Sequence, residues 1–117
     1  MINFVEKKIG FNLTEDQQKA VKEINKDLYS KERMFRLLQG DVGSGKTVVS
    51  LISAHNVILN KYQVAFMAPT EILAKQHFNL FIKIFGKSIR ADLLTGKTEL
   101  KKRKQILLDL ENNNIDI

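Results

Sequence analysis

Apolar residues recur along the chain in two spacings, one typical of helices and one typical of buried strands. Helical stripes occur in the stretches 14–31, 47–59, 71–85 and 98–112. Short, mostly apolar runs occur at 34–39, 63–68 and 89–95, with a last one at 115–117. Because runs and stripes alternate after the first stripe, the pattern predicts an α/β fold. About three and a half parallel strands are expected to form a sheet with helices on both faces, the last strand being cut short.

Two of the predicted helices carry clear start signals. Thr14, with Gln17 three residues later, has the sequence of a capping box. Thr70 stands directly before the third stripe, where its hydroxyl can cap a helix. Residues 1–12 contain no predicted element, so we treat them as a lead-in to one domain that spans 13–117.

Composition limits the class of protein further. The chain has 117 residues, 44% of them apolar, which indicates a single small globular domain. It has no cysteine, so disulfides and thiolate metal sites are excluded, and His55 and His77 alone do not make a metal site. The longest apolar stretch, 48–59, is interrupted by polar residues, which predicts a cytoplasmic protein without a membrane partner. The net charge of +6 suits a polyanionic partner but does not identify one.

A glycine-rich loop lies between the first apolar run and the second helical stripe. Gly40 is followed after four residues by Gly45, Lys46 and Thr47, the pattern of a phosphate-binding P-loop. In such a loop Lys46 contacts the β- and γ-phosphates of ATP and Thr47 ligates Mg²⁺. The predicted nucleotide ligands within the loop are Gly40, Asp41, Val42, Gly43, Ser44, Gly45, Lys46 and Thr47. A chance glycine-rich turn is the alternative, and the pattern arises by accident in roughly a few per thousand chains of this length.

A P-loop ATPase also needs an acidic site at the end of a buried strand to hold Mg²⁺ and position water. The one similar stretch is ILLDLE at 106–111. Leu100, Leu107 and Leu110 recur at helical spacing around it, so a helix is favoured over a strand. We therefore predict no catalytic carboxylate in this chain.

Polar residues follow two of the predicted strands. The Thr70 hydroxyl stands after one, and Thr95, Gly96 and Lys97 stand after the next. Because the ends of parallel strands lie at one sheet edge, these residues predict a groove that follows a nucleic-acid backbone. The alternative is an ordinary helix start, with Gln76 and His77 on a solvated face. The nearby LKKRK, 100–104, is more typical of a solvated helix face than of a nucleic-acid surface.

Four segments together resemble the RecG family of ATP-dependent DNA helicases, and the similarity covers nearly the whole chain. They read FNLTEDQ, RLLQGDVGSGKTVVS, QVAFMAPTEILAKQH and LLTGK. The resemblance implies the first part of the first of two RecA-like motor lobes, without the acidic DExx box. It also implies ATP and Mg²⁺ as cofactors, and DNA, branched or single-stranded, as partner of the whole motor. The activity implied is remodelling of stalled replication forks and recombination junctions in DNA repair.

The resemblance assigns roles to individual residues. Gln17 matches the adenine-reading glutamine; a role in the capping box alone is the alternative, and the two roles are compatible. Phe11 matches a stacking partner for the base, with a hydrophobic anchor as the alternative. The residues that match the P-loop are Gly43, Gly45, Lys46 and Thr47. The residues that match DNA-contacting motifs are Pro69, Thr70, Glu71, Gln76, Thr95 and Gly96, to which the strand-end pattern adds Lys97.

The chain also departs from the RecG pattern. Gly10 stands where the family usually has proline, and Lys61 stands where a glycine is common before the second strand. We therefore expect Asn60 to adopt the left-handed backbone conformation of that turn. Two other functions remain open at this point: a non-enzymatic relic or split-protein fragment that at most binds nucleotide weakly, and a small P-loop kinase. A kinase would give no reason for the two strand-end motifs. In the first case the missing remainder of the helicase would be a partner.

Overall fold

The computed structural model describes residues 1–40 and 45–117. Their helices are α1 (Ile2–Ile9), α2 (Glu15–Leu28), α3 (Lys46–Leu59), α4 (Glu71–Phe85) and α5 (Leu100–Glu111). The chain divides into two compact units, Met1–Val57 and Ile58–Ile117. In the described part of the chain, no helix has the length and apolarity needed to cross a membrane.

The first unit is built from α1, α2 and the larger part of α3. α2 and α3 have buried apolar residues at helical spacing, as an amphipathic stripe requires, and α1 contributes Val5. The most deeply buried side chains include Val5 of α1, Val21 and Ile24 of α2, and Val49, Leu51 and Ile52 of α3. The loop between α1 and α2 is held by a hydrogen bond of 2.7 Å from the Leu13 backbone N–H to the Glu6 carboxylate.

The second unit contains α4 and α5. Thr70 caps α4 by accepting a hydrogen bond of 3.2 Å from the Leu73 N–H. Buried aromatic and aliphatic side chains form its core: Ile58, Phe81, Ile84, Phe85, Ile89, Ile106 and Ile115. The predicted helical character of ILLDLE is confirmed, because α5 runs through it to Glu111.

The predicted parallel sheet is wrong, because no described residue lies in a strand and the described fold is helical. The runs at 34–39, 63–68 and 89–95 do not form regular secondary structure. Backbone hydrogen bonds connect the last two runs to residues 115–117 in only a few places. They join Val64 to Asp116, Asp92 to Ile117, and both Asp116 and Ile117 to Arg90.

The physical reason is that an apolar run becomes a strand only when neighbours pair its backbone along its length. Along 34–39 the apolar side chains are poorly covered: Phe35 is fully exposed, Leu37 is 79% exposed and Leu38 is half-buried. Along 63–68 burial alternates, with Val64, Phe66 and Ala68 half-buried while Met67 is 90% exposed. One side of that segment is therefore covered and the other is not, unlike a strand covered on both faces.

The turn after α3 also differs from expectation. Lys61, not Asn60, adopts the left-handed conformation, with φ of 68°. The Lys61 N–H donates a hydrogen bond of 2.9 Å to the Ile58 carbonyl, which closes the turn directly after the helix. The position where the RecG pattern has glycine thus keeps the glycine-like conformation even though a lysine occupies it.

Candidate functional site

The amino end of α3 forms the first candidate site. Gly45 precedes the helix with φ of 79°, a conformation that favours glycine, and Lys46 begins the helix. Gly40 lies on the other side of the loop. The predicted ligands Asp41, Val42, Gly43 and Ser44 lie outside the described residues.

Gln17 lies against Gly45. Its backbone N–H donates to the Thr14 hydroxyl at 3.2 Å and its side-chain Oε1 accepts from the Thr14 N–H at 2.8 Å, so the predicted capping box is confirmed. A Cβ built on Gly45 would lie 1.9 Å from Gln17 Nε2. The glycine is therefore needed both for its backbone conformation and for the close approach of this buried glutamine. The capping box fixes the Gln17 side chain beside the start of α3.

Lys46 bridges the two described ends of the loop. Its ammonium donates a hydrogen bond to the Gly40 carbonyl. Thr47 follows in the first turn of α3 and is half-buried. This end of the helix has no acidic residue in its first turn. An ammonium, an amide and the helix N-terminus therefore converge on one place, and this donor set fits an anion such as a nucleotide phosphate.

A second cluster lies in the Ile58–Ile117 unit, where the amino end of α4 meets the loop before α5. The Lys97 ammonium lies 3.6 Å from the Glu71 carboxylate, and a Cβ on Gly96 would lie 3.7 Å from Glu71 Oε1. Thr95 closes the loop: its N–H donates to the Thr98 hydroxyl at 3.0 Å, and its own hydroxyl accepts from the Lys97 N–H at 3.3 Å. The structure therefore brings together the two motifs that the sequence places about 25 residues apart.

The other predicted contact residues lie near this cluster along the chain. Pro69 is exposed directly before Thr70, and Gln76 is exposed on α4. His77 is half-buried, with its ring 5.3 Å from that of Phe66 in a T-shaped contact. The alternative interpretation placed both side chains on a solvated helix face. Gln76 is exposed as that interpretation requires, whereas His77 packs against an aromatic ring.

Sequence reasoning missed three features. The helix α1 was overlooked, although Ile2, Val5 and Ile9 have helical spacing and Gly10 ends it at φ of 85°. Arg36 pairs with Asp27 at 2.6 Å and with Glu23 at 3.2 Å, but a lone arginine gives no sequence signal for such partners.

The third missed feature is the pairing of Arg90 with Asp116. Arg90 Nη2 donates to the Asp116 carboxylate at 2.7 Å, and its backbone N–H donates to the same group at 2.8 Å. Hydrogen bonding from the Arg90 side chain is the main reason that the pKa of Asp116 lies below its ordinary value. The pair ties the last residues of the chain to the 89–95 segment.

His55 is the buried titratable group of α3. Burial lowers its pKa, and the positive charge of the Met1 amino group adds to the effect. The imidazole is therefore held neutral, which suits a packing role inside the helix bundle. In the described residues no group of three or more carboxylate, histidine or cysteine side chains is arranged to hold a metal ion.

The chain is similar to known helicases. The family model of the DEAD/DEAH box helicase matches residues 14–117. The chain is 52% identical over 109 residues to the ATP-dependent DNA helicase RecG of Staphylococcus aureus strain MRSA252. It is 51% identical over 108 residues to the RecG of Staphylococcus epidermidis strain ATCC 12228. The expected resemblance to RecG is thus confirmed.

These alignments cover 93% and 92% of this chain but 16% of each relative. The chain therefore spans about a sixth of the length of the curated relatives that it matches. Because the family model covers all but the first 13 residues, the chain belongs to the DEAD/DEAH box helicase family.

Proposed function

We propose that this chain is the nucleotide-binding part of the first motor lobe of a RecG-type, ATP-dependent DNA translocase. Its P-loop, residues 40–47, binds the phosphates of ATP, and Thr47 ligates Mg²⁺. The whole motor acts on branched or single-stranded DNA in repair and recombination in the cytoplasm. The relatives are named ATP-dependent DNA helicases, which supports the proposal that the motor uses ATP and acts on DNA.

The observation that carries the proposal is the convergence of Gln17, Gly45 and Lys46 at the start of α3. The Gln17 amide touches Gly45, and the Lys46 ammonium reaches the Gly40 carbonyl across the loop. A phosphate placed there replaces a carbonyl acceptor with a charged one, which strengthens the hydrogen bond to the ammonium. Phe11 is 52% exposed, so part of its ring is accessible for stacking on a base.

The second cluster, formed by Thr70, Glu71, Thr95, Gly96 and Lys97 and called here the Thr70 to Lys97 cluster, supplies the DNA contact. The hydroxyl of Thr70 and the loop at Thr95 and Gly96 present groups that suit a phosphate backbone. Glu71 carries the wrong charge for a phosphate, and its pairing with Lys97 instead positions that loop. DNA binding here is therefore expected to weaken with rising salt, as phosphate contacts do.

Nucleotide binding by the chain alone is expected to be weak. Phe35 and Leu37, in the segment before the loop, are exposed, so these two side chains do not anchor that segment. If these side chains must be packed when the nucleotide binds, the cost of ordering them reduces the affinity that the contacts provide.

The test is titration of a fluorescent ATP analogue, with Mg²⁺, into the 117-residue chain, followed by anisotropy. Saturable binding is expected, and Lys46→Ala is expected to weaken it by tenfold or more, because a charge-assisted contact to phosphate contributes about 1.5–3 kcal/mol. Lys19→Ala, an exposed lysine on α2, is the matched control and should bind as the unmodified chain does.

Circular-dichroism melts of all three proteins check that the helices are retained. If Lys46→Ala and Lys19→Ala bind the analogue equally well, the P-loop is not the nucleotide site and the proposal fails. Chelation of Mg²⁺ should also weaken binding, because the metal neutralises phosphate charge beside Thr47.

A further inference from the structure

The first turn and a half of α5 extends beyond the packed part of its unit. Every residue from 100 to 105 is exposed, whereas Ile106 is 4% exposed. Lys102 and Arg103 precede Ile106 by four and three residues, so they share its face of the helix. Because Lys102 and Arg103 are exposed although they lie on the same face as Ile106, the residues that pack against Ile106 do not reach this first part of α5.

Four consecutive cations surround this exposed turn: Lys101, Lys102, Arg103 and Lys104. We call them the basic tract. In the part of the chain that the structure describes, none of the four side chains forms an ion pair or a hydrogen bond. By contrast, Arg36, Arg90 and Lys97 are each paired with a carboxylate.

The tract is electrostatically unfavourable for the helix that bears it. Cations near a helix N-terminus are unfavourable because they oppose the helix dipole, and neighbouring like charges repel. The first turn of α5 contains no acidic residue, and Glu99 makes no side-chain capping hydrogen bond. A merely solvated face would place charges on the outer side of the helix, whereas these charges lie all around it.

We propose that the basic tract binds the phosphates of a DNA strand and so extends the DNA contact from the Lys97 loop onto α5. This inference rests on the proposed function, which makes DNA the partner. The tract begins four residues after Lys97, and the loop at Thr95–Thr98 leads directly into α5. Phosphates near the tract relieve the repulsion among its cations as well as the conflict with the helix dipole.

The geometry limits how many phosphates the tract can bind. Four successive helical residues rise by about 4.5 Å in total and point about 100° apart. One strand passing the helix therefore meets about two or three of the four cations. With about 0.7 released counterions per neutralised phosphate of single-stranded DNA, the tract should contribute about 1.4–2.1 to the slope of log K against log salt.

The experiment measures binding of a fluorescein-labelled single-stranded oligonucleotide to the 117-residue chain at several salt concentrations. In the tract variant, all four residues are replaced by Gln, which has a similar helix propensity. In the control variant, Lys19, Lys22, Lys26 and Lys31, all exposed, are replaced by Gln. Both variants lose four positive charges, so they differ only in where the charge is removed.

We expect the tract variant to lose about 1.4–2.1 of the salt slope and the control variant to change little. Equal losses in both variants would mean that only net charge matters, and no loss in either would confine DNA contact to the Thr70 to Lys97 cluster. Either result overturns the inference while the proposed function stands. If the unmodified chain fails to bind DNA, the inference also fails, while the Lys46→Ala titration still decides nucleotide binding.

Folding is checked by circular dichroism, in which the tract variant should melt no lower than the unmodified chain because it loses unfavourable charges. If it unfolds, the pair Lys101→Gln and Lys104→Gln, on the outer face of α5, replaces it. A charge-preserving variant, with Lys101, Lys102 and Lys104 changed to Arg, should keep the original salt slope. Loss of slope in that variant would overturn the inference.

Discussion

Gly45 shows how one residue links a local conformation to a distant side chain. Gly10 and Gly45 both have φ near 80°, but nothing lies within 4 Å of a Cβ on Gly10, whereas Gln17 lies 1.9 Å from one on Gly45. Alanine at either position incurs backbone strain of about 1–2 kcal/mol. At Gly45 it also displaces the Gln17 side chain from its hydrogen bond with Thr14.

We therefore predict that Gly45→Ala lowers the free energy of unfolding by about 1 kcal/mol more than Gly10→Ala does, which is the typical value of one hydrogen bond. Urea denaturation of both variants measures the difference. In a Gln17→Ala background the excess should vanish, because no side chain is left to be displaced. Equal costs for the two glycine variants in the unmodified background would contradict the described contact.

The buried imidazole of His55 makes the stability depend on pH. Because burial lowers its pKa in the folded state, the unfolded chain binds more protons once the pH falls below about 6.5. The free energy of unfolding should therefore fall between pH 7.5 and 5.5, by at most about 1.4 kcal/mol per pH unit. Urea titrations at the two pH values test this, and a His55→Gln variant should lose that part of the dependence.

At the scale of elements, the cap of α2 is the most clearly defined helix end. The Thr14 hydroxyl accepts the Gln17 N–H, and Thr14→Ala should reduce the stability of the chain by about 1 kcal/mol. Thr14→Ser keeps the oxygen and should restore most of that loss. Thermal melts followed by circular dichroism compare the three proteins, and a serine variant as unstable as the alanine variant would argue against a capping role.

The helices could be predicted from the sequence because their signals are local. Thr14 and Thr70 mark helix starts within four residues of the groups that they cap, and apolar spacing predicted α3 and α4 closely. The helix α1 was missed because eight residues give only two turns of that spacing. The sheet was predicted wrongly because an apolar run such as 34–39 does not reveal whether a partner pairs its backbone.

The candidate site likewise has a part that local sequence predicts and a part that depends on how the chain folds. Loop spacing predicts Lys46 and Thr47 as ligands without any structure, because the residues of a P-loop that contact the phosphates and Mg²⁺ follow one another in the sequence. The approach of Gln17 to Gly45, and of Lys97 to Glu71, depends on how distant segments fold together. No spacing rule predicts these contacts, although the resemblance to RecG named Gln17, Gly45 and Glu71, and the strand-end pattern named Lys97.

At the scale of the whole molecule, the alternating burial of the 63–68 segment has a chemical consequence. Met67 is 90% exposed, compared with 48% for Met1 and 36% for Met34. Exposed methionines are oxidised to sulfoxides more readily than sheltered ones. Dilute peroxide followed by peptide mass spectrometry should therefore modify Met67 first and Met34 last, and urea should abolish this order. Early oxidation of the Met67 sulfur would then show that the Met67 side of this segment faces the solvent.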